Sequence, residues 1–194
     1  MRAFGILTAA LALAGAGCHS HGVKAVAADT GTMMPARTAP IDRATVMLAP
    51  TAGNSVGGSL TFTTVGNDVH VQGQINGLQP GSTHGFHIHE KGNCSAPDGS
   101  SAGGHFNPRG VMHGDPGGMD HHAGDIPNQT ADAQGYAIVD ALVHGISIGT
   151  GGADDVLGRS VVVHKDRDDY TTQPAGNSGA RVACGVIVGR RVGN

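Results

Sequence analysis

The sequence predicts an all-β fold, an antiparallel sandwich or barrel of about eight strands, on three observations. Apolar and polar residues alternate in runs of strand length, as in Val69-His70-Val71-Gln72-Gly73-Gln74-Ile75. Thirty-three glycines among 194 residues, with turn signals such as Asn76-Gly77 and Gln79-Pro80-Gly81, punctuate those runs at near-regular intervals. No amphipathic helical pattern and no internal repeat interrupts them. With 39% hydrophobic residues the chain can bury one sizeable core, and without Trp that core is aliphatic and rich in Val.

Residues 1–17 read as a signal peptide. Arg2 supplies the positive end, and Ala3 to Gly17 form an apolar stretch too short to span a bilayer. The stretch ends in Gly15-Ala16-Gly17-Cys18, which resembles the lipobox of bacterial lipoproteins, although Gly15 stands where Leu is preferred. Cys18 is therefore expected to carry lipid and become the mature N-terminus. The competing reading is ordinary cleavage near Ala28. Residues 18–41 are small, polar and Pro-containing, as a flexible tether would be. The expected location is exported, in the periplasm or cell envelope, with membrane contact only through the lipid on Cys18. Three cysteines leave an odd one in an exported chain; if Cys18 is lipidated, Cys94 and Cys184 remain as a pair that an oxidising compartment permits to join.

The folded domain is expected over residues 42–194. Its strands are Ala44 to Leu48, Gly58 to Val65, Val69 to Ile75 and His84 to Glu90. After them comes a glycine-rich stretch, Lys91 to Gln134, with little strand signal; it holds four histidines, a cysteine and several aspartates, so it reads as a functional loop. Strands resume at Tyr136 to Val143, a short piece at Ile146 to Ile148, and Val156 to His164. A second irregular loop runs from Lys165 to Ala180, and Arg181 to Val188 closes the chain.

Twelve histidines, clustered, point to metal. His87 and His89 alternate with Phe86 and Ile88, so the two imidazoles share one strand face and the apolar pair takes the other. His105 follows in Gly104-His105-Phe106-Asn107-Pro108, then His113, then His122 with Asp125 three residues on, and finally His164 at a strand end. Imidazole suits copper and zinc, and zinc also accepts a carboxylate. This is more than one tetrahedral site can use, and two adjacent ions sharing an imidazole fit the surplus. His84 faces the core side with Phe86 and reads as structural; His121 competes less well than His122, and His70 and His144 read as surface residues. A formal charge of −3 gives no electrostatic reason to expect nucleic-acid binding.

Together these segments, with Val162-Val163-His164 and Gly179-Ala180-Arg181-Val182-Ala183-Cys184-Gly185-Val186-Ile187, resemble the bacterial copper/zinc superoxide dismutases, in family order and over about residues 42–192. The resemblance implies an eight-stranded antiparallel Greek-key barrel with two long functional loops. It implies one copper and one zinc ion per subunit: copper on His87, His89, His105 and His164, zinc on His105, His113, His122 and Asp125, with His105 as the bridge. It implies that Asp168 connects His87 with His113, that Cys94 and Cys184 form a disulfide, and that Arg181 attracts the superoxide anion. The implied reaction converts superoxide to O₂ and H₂O₂ by Cu(II)/Cu(I) cycling, with zinc structural and His105 able to supply a proton. The alternative is a copper/zinc binding or storage protein on the same fold. Monomer or homodimer is left open. One departure stands out: Tyr170 to Ala180 contains no charge, so anion guidance would rest on Arg181, with Lys165, Arg167 or Arg109 as helpers.

Overall fold

A computed structural model describes residues 41–190. The signal peptide, the Cys18 lipid and nearly all of the tether lie outside the described residues. Nine strands form: β1 (Arg43–Pro50), β2 (Gly57–Val65), β3 (Asp68–Asn76), β4 (Thr83–His89), β5 (Asp125–Thr130), β6 (Ala137–Val143), β7 (Ser160–His164), β8 (Arg181–Val186) and β9 (Val188–Arg190). Eight of them follow the antiparallel order β5-β4-β7-β8-β1-β2-β3-β6, with β9 added on β1. β1 joins the two halves: Arg43 to Leu48 pair with β2, while Ala49 and Pro50 pair with β8. The ends of the path, β5 and β6, lie beside each other without a ladder, so the barrel is closed except at one seam.

Alternation along the strands builds the core. Leu60 and Phe62 of β2, Val69, Val71 and Ile75 of β3, and Ala137, Val139, Ala141 and Val143 of β6 all point inward and are buried. Phe86 and Ile88 of β4 meet Val161 and Val163 of β7 in the same cluster. Each Val, Leu, Ile or Phe among them contributes about 1.5–3 kcal/mol through removal from water. The core is aliphatic apart from Phe62, Phe86 and Phe106.

Three expectations need correction. Asp125 to Thr130, placed in a loop from the sequence, is strand β5. Its Pro127 is compatible because β5 is a terminal strand, where a missing N–H costs no ladder bond on the open side. The piece Ile146 to Ile148 is not a strand; its isoleucines are buried, but Ser147 makes only an isolated bridge to Asp155. The strand expected from Val156 begins only at Ser160. Before it, the Asp155 carboxylate accepts the N–H groups of Gly149, Gly151 and Leu157 and folds that segment as a compact loop.

Candidate metal centre

Strand β4 sets the frame. His87 and His89 project to one face, and both are buried because two loop segments cover them. Ile88 ties those segments down: its N–H donates to the Gly124 carbonyl at 2.8 Å, its carbonyl accepts from Phe106 N–H at 2.8 Å, and Gly124 N–H donates to Phe106 O at 2.9 Å. Gly124 is required there, since a Cβ would run into the Ile88 carbonyl and Phe106. His105, the neighbour of Phe106, and Asp125, the neighbour of Gly124, are thereby carried to the strand histidines; His105 bridges His89 directly. Arg159 stacks on the Phe106 ring at 3.8 Å and donates to the Glu90 carbonyl, which closes the far side.

Two clusters result. His87, His89, His105 and His164 each place a ligand atom within 4.8 Å of the others, and so do His105, His113, His122 and Asp125. His105 belongs to both. The ring orientations leave lone pairs inward. His87 Nε2–H donates to Asp168 at 2.7 Å, His89 Nδ1–H to the Gly103 carbonyl at 2.9 Å, His164 Nδ1–H to the Gly179 carbonyl at 3.2 Å, and His113 Nε2–H to Asp168 at 2.9 Å. These bonds assign the tautomers. They leave His87 Nδ1 and His113 Nδ1 bare, and with His105 Nε2 and His122 Nδ1 these are buried nitrogens without a hydrogen-bond partner. His113 Nδ1 lies 3.0 Å from Asp125 Oδ2 but off the line of a hydrogen bond. His89 Nε2 and His164 Nε2, whose protons sit on the opposite nitrogens, face each other at 3.3 Å. Buried, unpaired lone pairs converging in two groups cost stability unless a cation meets them, and neutral imidazoles plus one carboxylate form the donor set that copper and zinc accept.

Charge is distributed unevenly. Burial pushes His105 down to about 4, against its bond to Asp125. Burial likewise lowers His89 and His164, helped by neighbouring imidazoles. For His113 burial works against protonation, but the close Asp125 carboxylate and the hydrogen bond and charge of Asp168 outweigh it and raise the ring to about 9. Both carboxylates are buried, which alone would raise them; bonds from the histidines hold both well below the usual range.

Asp168 is fully buried and spans the two clusters through its two oxygens. Its main chain is gripped by Asn128 of β5: Asn128 Nδ2–H donates to Asp168 O and Asp168 N–H donates to Asn128 Oδ1, each at 2.9 Å. Tyr170 N–H donates to the Asp168 carboxylate, and Tyr170 Oη accepts the Asn128 N–H. Asn128 carries no sequence signal for this role, because its partners are the main-chain groups of Asp168.

A cavity of about 600 Å³ opens on the first cluster, lined by His89, His105, His164 and Arg181 together with Thr172 to Pro174 and Asn177. Arg181 is held there by the Gly99 carbonyl at 2.7 Å and by the Gly103 carbonyl. The loop supplying those carbonyls is stapled to β8 by the Cys94–Cys184 disulfide, with Cα atoms 5.7 Å apart. Lys165, Arg167 and Arg109, the helpers expected from the sequence, are elsewhere. Lys165 and Arg167 line a separate cavity of about 540 Å³ beside His84, and Arg109 reaches only toward the His121 carbonyl. His84 bonds Ser82 and the His164 carbonyl, His121 bonds the His122 carbonyl, and His70 and His144 pair with surface aspartates.

Comparison with known proteins agrees with this geometry. A family model described as copper/zinc superoxide dismutase (SODC) matches residues 56–187. The superoxide dismutase-like protein YojM of Bacillus subtilis (strain 168) is 44% identical over 127 residues, 64% of this chain and 64% of that protein's length. Superoxide dismutase [Cu-Zn] 2 of Mesembryanthemum crystallinum is 45% identical over 141 residues, 69% of this chain and 88% of the relative. Among solved structures, a SOD-like protein from Bacillus subtilis superposes with TM-score 0.67 at 39% identity, covering 73% of this chain and 96% of that one. The clock protein EA4 gives TM-score 0.70 at 40% identity, covering 80% and 99%.

Proposed function

Since the chain belongs to the copper/zinc superoxide dismutase family, we propose that it is an active superoxide dismutase, converting two superoxide anions and two protons to O₂ and H₂O₂. The observation that carries this reading is the pair of clusters sharing His105, with buried lone pairs converging in each. His87, His89, His105 and His164 would hold copper, and His105, His113, His122 and Asp125 would hold zinc. Copper supplies one-electron chemistry between its two oxidation states, and zinc supplies a redox-silent positive charge.

The chain's own residues do the rest. Arg181 places a guanidinium in the wall of the cavity, where a small anion meets it before reaching the histidines. Gly99 and Gly103 fix that guanidinium, so the anion is met by a preset charge. His105 Nε2 is the atom that can hold a proton on the cavity side, while Asp125 engages Nδ1 on the other side and keeps the ring in register. Asp168 orients one ring in each cluster, and Phe106, beside His105 in the chain, is buried in the core under Arg159.

Superoxide decay measured with the purified, copper- and zinc-loaded protein tests the proposal. Activity well above that of free copper at equal concentration is expected; activity equal to free copper would overturn it. The second reading, metal binding without turnover, draws on the name of the Bacillus subtilis relative, a superoxide dismutase-like protein. It expects both metals to be taken up with no acceleration of superoxide decay. Export and lipidation at Cys18 belong to the same proposal, and the mass of the mature N-terminus separates Cys18 from Ala28.

A further inference from the structure

The loop from Tyr170 to Ala180, which lacks every charge that could guide an anion, has a different use in the structure. Gln173 Oε1 accepts the His113 N–H at 3.0 Å, and Gln173 Nε2–H donates to the His113 carbonyl at 2.8 Å. One carboxamide thus pairs both main-chain groups of His113 across a separation of 60 residues, as a neighbouring strand would. Among the described residues nothing else does this for His113, which lies in a segment without regular structure. Three residues on, Gly176 packs against the same place: a Cβ there would overlap the Asp168 carboxylate and crowd His113 Nε2. The loop is folded to reach it. Asp169 accepts the N–H groups of Thr171 and Thr172, Gly176 N–H donates to Thr172 O, and Asp169 N–H donates to Gly176 O.

We propose that Gln173 is a positioning residue for the zinc-side cluster, holding the main chain of His113 so that Nδ1 stays aimed at the ion. The assignment rests on the zinc reading of that cluster. It explains why a neutral side chain stands here: a lysine offers no acceptor and a glutamate no donor, whereas the carboxamide is both. The ring of His113 is set by Asp168, and its backbone by Gln173, so two elements of the same loop hold one ligand from both ends.

The test is zinc release from the copper- and zinc-loaded protein into a chromogenic chelator. Gln173→Met keeps the length of the side chain and removes both hydrogen bonds. Release about tenfold faster than wild type is expected, with copper content over the same incubation and the urea midpoint of the metal-free protein at wild-type values. Gln173→Glu, which keeps the acceptor for His113 N–H, is expected to fall between. Zinc release by Gln173→Met within about twofold of wild type would overturn the proposal. So would an equal loss of stability in the metal-free protein, which would make the contact merely structural. If wild type takes up no zinc at all, the zinc reading fails and this one fails with it, an outcome distinct from unchanged release by the variant.

Discussion

The two clusters are built in opposite ways. His87, His89 and His164 stand on strands, fixed by ladders, and two of the three rings are oriented by main-chain carbonyls. His113 and His122 stand in the long loop, where carboxylates and carboxamides do the work of a ladder. The contrast extends to charge. His89 and His164 are held neutral, lowered by burial, while His113, set between two carboxylates, is raised to about 9. A cation among neutral imidazoles keeps its charge for an incoming anion, and one beside Asp125 has part of it offset. The same residue type therefore meets two electrostatic settings, with main-chain dipoles beside His89 and His164 and two carboxylates beside His113.

Removing the residue common to both halves should do the most damage. His105→Ala is expected to lower dismutase activity about 100-fold or more and to alter the Cu(II) EPR spectrum; an unchanged spectrum would argue against a shared ligand. Asp168→Asn comes next. It keeps the shape of the link but not the charge, and metal affinities measured by chelator competition should fall by about 10–100-fold, more on the loop-borne side, where His113 depends on that charge.

Titration of the metal-free protein separates the halves more gently. For His89, His105 and His164 the folded form resists protonation, so the unfolded chain takes up protons first as pH falls below about 6.5, and stability is lost, down to about 4 for His105. His113 has the opposite sign. Its contribution is complete below about 6.5 and is lost as pH rises through about 9. Three groups outweigh one on the acid side, so the urea midpoint should drop between about pH 7 and about pH 5; a rise would contradict neutral strand-borne rings. The smallest effect concerns guidance. With Arg181 the one cation among the described residues that line the cavity, raising salt should slow the reaction only a few-fold, Arg181→Gln should abolish the dependence, and Lys165→Ala should change the rate by less than about twofold.

Much of this was visible in the residues. Alternation exposed β1 to β4 and β6, because their inward residues are Leu, Val, Ile and Phe. β5 was hidden because Asp-Ile-Pro-Asn-Gln-Thr has no alternating apolar pattern; it is a strand through pairing with β4 and through Asp125 meeting His87 in register. Ile146 and Ile148 misled in the other direction, since burial without a partner strand leaves the same pattern. The histidines and Asp125 could be read because imidazole and carboxylate announce their chemistry. The Gly99 and Gly103 carbonyls could not, for every residue has a carbonyl and only the fold says which one meets Arg181. Asn128 and Gln173 were invisible for a related reason: their targets are backbone groups, which carry no signature in a sequence.

The loop from Cys94 to Gly103 has one more implication. It carries the staple to β8 and, a few residues on, both carbonyls that hold Arg181. Closing a loop of 90 residues is worth about 4–5 kcal/mol by chain entropy, a large share of what keeps a domain folded with this segment in place. In a reducing compartment His87, His89 and His164 would still stand on their strands, but the segment that mounts the guanidinium would lose its staple. The chain thus carries its own license: the thiol chemistry of its surroundings bears on how firmly the Arg181 guanidinium is mounted in the cavity wall.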